Sequence, residues 1–407
     1  MNEKSLRRIR ERLQFAGPYL DGFTGWLGVQ RYADRSIRNL TYTLARWVEW
    51  AASRGFNIKT IGKALTASDV FFKAKIGGRR KRNPNEELIS VSRLFVRHLR
   101  ESGVVSQPLE SLSPMDRWPR LAQFRRWMRQ HRGVMESSLD LWQRHIVKLL
   151  ETLGSDGSLY TAEAVRGFVL ERAKSGGRAR ARCIACAVRA YLRFLAANGH
   201  CPPSLQYAVP RIAHWQLSSV PKYLSASEVD RVIGACEGPG WARDRAIILL
   251  LARLGLRSSD VAALRLSDID WKNARMAVSG KSRRAQWLPL TQEIGEAILA
   301  YLKQGRPQRS GQSLFLTNLA PRRPITRITV KCVVRRALIR ANVDSASKGA
   351  HILRHTAATA MLGHGVSLAG VGAVLRHGSP LTTLLYAKVN LGKLSQIAQP
   401  WVGRLPC

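Results

Sequence analysis

An internal repeat in the first two hundred residues limits the folds open to this chain. Phe23 and Trp26-Leu27 are answered by Phe124 and Trp127-Met128, and Ser36 and Leu40 by Ser137 and Leu141, all at one offset. Phe95, Val96, Leu99 and Gly103 are answered by Tyr191, Leu192, Leu195 and Gly199 at a smaller offset, so the second copy is shorter in its middle. Apolar residues recur at helical spacing in both copies: Leu40, Leu44, Trp47 and Val48 in the first, Trp142, Ile146 and Leu149-Leu150 in the second. Residues so spaced share one helix face. Each copy ends on Gly103 or Gly199, the residue type that most easily closes a helix in the left-handed conformation. Two merely similar bundles would also give such matches; duplication of one helical domain explains their shared order. Prolines mark the joints at Pro108–Pro119 and Cys201–Pro221, as extended linkers do. Three domains are expected: 1–113, 114–220 and 221–407.

The third domain opens on Ser225-Ala226-Ser227-Glu228, the Ser-x-x-Glu form of a capping box. Val229, Val232, Ile233 and Cys236 follow on one helix face, and a strongly apolar helix is expected from Ala242 to Leu254, stopping at Gly255. Strand signals come only after Trp271. Met276–Ser279 and Gln286–Leu290, around a polar turn at Gly280–Ala285, read as a β-hairpin. The fold expected is mainly α with a small antiparallel sheet.

Charge names the partner. Lys and Arg number 66 against 27 Asp and Glu, a net charge of +39. Self-repulsion on that scale destabilises a compact chain, so a polyanion is the expected partner. Each third of the chain is basic in its own right. That suits contact with a phosphate backbone along the whole length better than a basic tail. The cluster Gly77-Gly78-Arg79-Arg80-Lys81-Arg82 is either a solvated loop or a phosphate contact.

Other classes drop out. Six Cys in 407 residues make no disulfide scaffold. Cys183 and Cys186 form one Cys-x-x-Cys, but no second pair stands at zinc spacing, and Ala181–Phe194 reads as an amphipathic helix. Met1–Leu13 is charged throughout and is not expected to be a signal peptide. The apolar run Ala246–Ala252 stops at Arg253, too short to span a bilayer. A soluble, cytoplasmic, nucleoid-associated protein with no membrane contact is expected. Gly280-Lys281-Ser282 resembles the end of a phosphate-binding loop, yet Arg275 stands where that motif needs a Gly. His351 and His355 are four apart, but no Glu follows His351 as a zinc protease requires. No paired carboxylates suggest a magnesium nuclease, and neither metal nor cofactor is expected.

What remains is a set of groups spread over the third domain. Gly255-Leu256-Arg257 closes the apolar helix, and Lys281 sits on the hairpin turn. His351-Ile352-Leu353-Arg354-His355 follows, then Leu375-Arg376-His377-Gly378-Ser379 and finally Tyr386. Singly these are a surface cation, a structural imidazole and a core phenol. Together they supply two guanidiniums matched to phosphate oxygens, a lysine, imidazoles, and a phenol that becomes a nucleophile once a base takes its proton. The set suits attack of tyrosine on a phosphodiester.

In these motifs, their order and their intervals, the sequence resembles the tyrosine recombinase, or phage integrase, family over about Pro221–Val402. The resemblance implies an integrase-type catalytic domain preceded by tandem helical core-binding (SAM-like) domains. It further implies a catalytic set of Arg257, Lys281, His351, Arg354, His377 and Tyr386. Tyr386 would bond to a 3′ phosphate, Arg257 and Arg354 would hold its oxygens, and Lys281 would protonate the departing 5′ oxygen. His351 would serve as base and His377 as phosphate donor. Double-stranded DNA is the implied substrate, and the implied assembly is a homo-tetramer on two DNA sites or a complex with related recombinases. Integration or excision of a mobile element or phage is the implied role. Two positions depart from the family pattern: Arg376 replaces a Gly, which would add a cation near the phosphate, and Asp260 replaces a Glu. His355 is expected to be structural. The tail Leu391–Cys407 would dock on a neighbour or pack on its own domain. A type IB topoisomerase and a non-enzymatic DNA-binding protein are the rival readings.

Overall fold

The two copies of the repeat build the same frame. The computed structural model describes residues 3–74, 84–106, 113–213, 221–279, 285–307, 311–345 and 347–389. The first copy runs through α1 (Glu3–Arg12), α2 (Leu20–Val29), α3 (Asp34–Ala52), α4 (Ile61–Ala74) and α5 (Pro84–Glu101). After the short α6 (Pro114–Arg117), the second runs through α7 (Pro119–Arg132), α8 (Glu136–Leu153), α9 (Ala162–Lys174) and α10 (Arg178–Ala197). Helices α2 to α5 thus answer α7 to α10, and a single 3-10 turn precedes both α4 and α9.

Their cores agree ring by ring. Phe23 meets Phe95 edge-on at 5.2 Å, and Phe124 meets Tyr191 edge-on at 5.4 Å. Trp26 lies 5.8 Å from His98, and Trp127 lies 5.9 Å from Phe194. The offset between Phe95 and Tyr191 also carries His98 onto Phe194, an equivalence hidden in the sequence by the change of residue type. Gly103 and Gly199 take φ values of 74° and 71°, the left-handed closure expected of both. The shortening of the second copy falls between its third and fourth helices, where α9 ends at Lys174 and α10 begins at Arg178. Free Cys183 and Cys186 both lie on α10, as the amphipathic reading expects.

Compactness draws two units where the sequence pattern draws three domains: residues 1–99 with 216–407, and residues 100–215. The C-terminal part of the first unit begins with α11 (Ala226–Gly234), whose capping box at Ser225 and Glu228 is formed. Next comes α12 (Ala242–Ala252), buried at every residue but Arg245. A helix buried on nearly all sides sits at the centre of its domain. Around it pack α11, α13 (Ser258–Ala263), α14 (Gln292–Ala300), α15 (Arg327–Arg340) and α16 (His351–Gly363); α17 (Leu368–Val374) packs on α16, and α18 (Pro380–Leu384) on α17. Arg243 and Asp244, buried on α12, pair at 2.6 Å, and Arg243 also donates to the Leu316 carbonyl at 3.0 Å.

The expected hairpin is present as β2 (Arg275–Ser279) and β3 (Ala285–Pro289), antiparallel with Met276 opposite Leu288. A third strand, β1 (Ile269–Asp270), pairs with the free edge of β2. Two residues are too short to show alternation, so this strand has no sequence signal. Met276 and Val278 point into the core, while Trp287 faces solvent under the Arg275 guanidinium. The turn carrying Lys281, the loop Gly77–Arg82 and the tail Leu391–Cys407 lie outside the described residues. No helix among the described residues is long and apolar enough to cross a membrane.

Candidate active site

The site begins where α12 ends. Gly255 has φ +59°, and a Cβ there would meet the Leu375 side chain at 2.5 Å. Both the backbone conformation and the close approach therefore require glycine. The turn delivers Arg257 to the N-cap position of α13, and its backbone N–H donates to the Asp260 carboxylate at 3.3 Å.

From the other side comes α16, whose first residue is His351. Thr356 ties this helix to the domain entrance by accepting the Leu224 N–H at 2.9 Å. Arg354 is 4% exposed. One arm of its guanidinium donates to the Gly255 carbonyl at 2.5 Å, and the other to the Leu375 carbonyl. Arg257 in turn donates to the next carbonyl, that of Arg376, at 2.9 Å. Consecutive peptides thus hold the two guanidiniums that the sequence nominated for phosphate.

Arg376 has φ +56°, the left-handed region that glycine occupies without cost. A glycine at this position in the family pattern is explained by that conformation. The expected extra cation toward the phosphate is not what the side chain provides. It is buried, ion-paired with Asp260, and within 3.4 Å of the Val278 carbonyl on β2. The two departures from the family pattern therefore meet each other. The buried Nε–H of Arg376 has no acceptor among the described residues.

Tyr386, 2% exposed, packs with Ala358, Leu362, Val371 and Leu375. Its Oη lies 2.9 Å from Nδ1 of His355. It is His355, expected to be structural, rather than His351 that touches the phenol. The spacing could have shown it, since His351 and His355 are one helical turn apart and share a face; their rings lie 6.1 Å apart. His377 stacks parallel to the Tyr386 ring at 6.2 Å and hydrogen-bonds Thr383 Oγ1 through Nδ1 at 2.8 Å.

Burial and positive neighbours set the protonation states. Burial first, then Arg257, pushes the Arg354 pKa down to about 10. Burial, then Arg354 and Arg257, lowers His377 to about 4. His351 and His355 are also held below the ordinary imidazole value, by burial first and by neighbouring cations next. All three imidazoles are neutral at pH 7 and can accept protons. Burial raises the Tyr386 phenol, with Arg354 opposing it. The site sets two guanidiniums and neutral imidazoles beside a protonated phenol, a set of groups suited to a phosphodiester. Among the described residues no three His, Cys, Asp or Glu side chains gather to hold a metal ion.

The chain is similar to known proteins. A family model described as "Phage integrase family" matches residues 222–392. Across 393 residues, 95% of this chain and 94% of the other, it is 32% identical to y4rA of Sinorhizobium fredii (strain NBRC 101917 / NGR234), an integrase/recombinase by name.

The chain belongs to the phage integrase family. As a tyrosine-type integrase it is an enzyme of site-specific DNA strand exchange. Its fold is similar to that of the XerH site-specific recombinase in a post-cleavage complex with palindromic difH substrate. That match has a TM-score of 0.53 at 16% identity, over 84% of this chain and 95% of the other. A lambda integrase in a tetramer bound to a Holliday junction matches with a TM-score of 0.52 at 18% identity, over 76% of this chain and 88% of the other. Of the six residues nominated from this integrase's sequence, Arg257, Arg354 and His377 converge on the Leu375–His377 backbone. Tyr386 lies against His377, and His351 lies beside His355.

Proposed function

We propose that this integrase cuts and rejoins duplex DNA through a 3′-phosphotyrosyl link at Tyr386, inserting or excising a mobile element or phage. The carrying observation is that Leu375 and Arg376 hold both arginines and lead directly to His377 and on to Tyr386. Arg354 and Arg257 grip the non-bridging oxygens of the scissile phosphate, where charge builds in the transition state. As Tyr386 Oη bonds to phosphorus, its proton passes to His355, with His351 beside it as a further acceptor. The bond from phosphorus to the 5′ oxygen breaks, and that oxygen takes a proton from Lys281. His377 donates to the phosphate. Rejoining reverses each step with the 5′-hydroxyl of another strand, so no outside energy source is consumed. The helical domains 1–113 and 114–220 grip the duplex through their basic surfaces, and domain 221–407 performs the chemistry. Four copies act on two sites, or copies pair with related recombinases.

The test is Tyr386→Phe on a nicked suicide substrate. It should bind DNA as the wild type does and trap no covalent complex. An adduct formed by the Phe variant would assign the nucleophile elsewhere. Plasmid relaxation with no recombinant product would favour topoisomerase chemistry instead.

A further inference from the structure

We infer that Arg376 is a positioning residue for Arg257, acting as one unit with Asp260. The inference rests on the assignment of Arg257 to the phosphate. Asp260 is buried at 6% exposure and faces two guanidiniums. It is ion-paired with Arg376, whereas the nearest guanidinium nitrogen of Arg257 stands 3.9 Å away. Arg257 remains 25% exposed at its side chain, while Arg376 is 5% exposed. The buried arginine thus satisfies the carboxylate and leaves the outer one free for substrate. At the same time the Arg376 carbonyl accepts from Arg257 at 2.9 Å and fixes its direction. The contact from Arg376 to the Val278 carbonyl ties the arrangement to β2, the strand leading to the Lys281 turn.

Charge balance gives the arrangement its logic. Remove the Arg376 side chain, and the one other ion-pair partner of the buried carboxylate among the described residues is Arg257. A buried charge without a partner is strongly unfavourable, so Arg257 folds back onto Asp260 and leaves the phosphate. Remove the carboxylate as well, and nothing draws Arg257 away. The left-handed backbone at residue 376 is then supplied by glycine, which needs no side-chain anchor to hold it.

The experiment compares single-turnover cleavage of a suicide substrate at saturating DNA, using the full chain. Arg376→Gly should slow cleavage by about tenfold to a hundredfold, the scale of a misaligned catalytic group, with DNA affinity unchanged. Adding Asp260→Asn to that variant should bring the rate back to within about threefold of wild type, since contacting residues couple non-additively. Arg376→Gln, which keeps the length and loses the charge, covers the case in which the glycine variant folds poorly; it should show the same loss and the same rescue. Wild-type cleavage rate in Arg376→Gly would overturn the inference. So would a double variant no faster than the single one, or a loss confined to DNA affinity, which would make Arg376 a DNA contact. Wild type and Tyr386→Phe run alongside. Absence of adduct in the wild type would count against the proposed reaction, whereas full-rate adduct in Arg376→Gly counts against this inference alone.

Discussion

Replacing Arg354 with Met tests whether this buried guanidinium serves the fold or the reaction. Two terms oppose each other. The substitution removes charge-assisted hydrogen bonds to the carbonyls of Gly255 and Leu375. At roughly 1.5–3 kcal/mol each, their loss costs about 3–6 kcal/mol. It also removes a cation whose burial beside Arg257 holds its pKa at about 10. Holding the charge so far below the ordinary guanidinium value costs about 3 kcal/mol, and Met recovers it. The net destabilisation should be about 0–3 kcal/mol, small for a buried charged residue wired to two helix ends. Cleavage should fall by a factor of about a thousand or more, because a guanidinium supplies two preorganised donors to the transition state. Urea denaturation followed by tryptophan fluorescence gives the first number, and single-turnover cleavage of a suicide substrate gives the second. Destabilisation beyond about 5 kcal/mol would show that the balance of hydrogen bonds against buried charge was misjudged. Cleavage within about tenfold of wild type would remove Arg354 from the phosphate altogether.

Two further outcomes follow from the same geometry. The three imidazoles have folded pKa values below their unfolded value, so their contribution to stability is fully present above about pH 6.5. It is lost as pH falls through the folded values, His377 last at about 4; melting temperatures of the free protein measured from pH 7 to pH 4 should therefore fall on the acid side, and a flat profile would contradict this. Phe124→Ala should destabilise the unit 100–215 by about 3–5 kcal/mol, the cost of truncating a buried aromatic, because Phe124 is fully buried against Tyr191 and Phe194. Hydrogen exchange along α7 and α10 would report it, and unchanged protection there would refute the matched aromatic cores.

The repeat and the nominated groups were legible for different reasons. Helical spacing and glycine closures repeat visibly in sequence, so the two four-helix frames could be read from Phe23, Trp26 and Gly103 and their counterparts. The chemical groups could be read because phosphate transfer by a phenol needs a short, recognisable set of side chains in a fixed order. The contact of His355 with Tyr386 joins residues 31 apart in the chain; the one local sign of it was the helical turn between His351 and His355. The ion pair between Arg376 and Asp260 spans more than a hundred residues of chain, and no local pattern encodes it. The one available sign was that both departures from the family pattern occur in the same chain.

Leu375 and Arg376 offer adjoining carbonyls to two different guanidiniums, and the same backbone continues through His377 to Tyr386. Placement errors at these four groups are therefore correlated. In the proposed reaction, a tilt of this segment would disturb the grip on the phosphate and the alignment of the attacking oxygen together. For a reaction that must break a strand and later reseal it, the half-competent states are the dangerous ones, and this single mounting leaves little room for them. Readiness to cut and readiness to reseal are one mechanical condition.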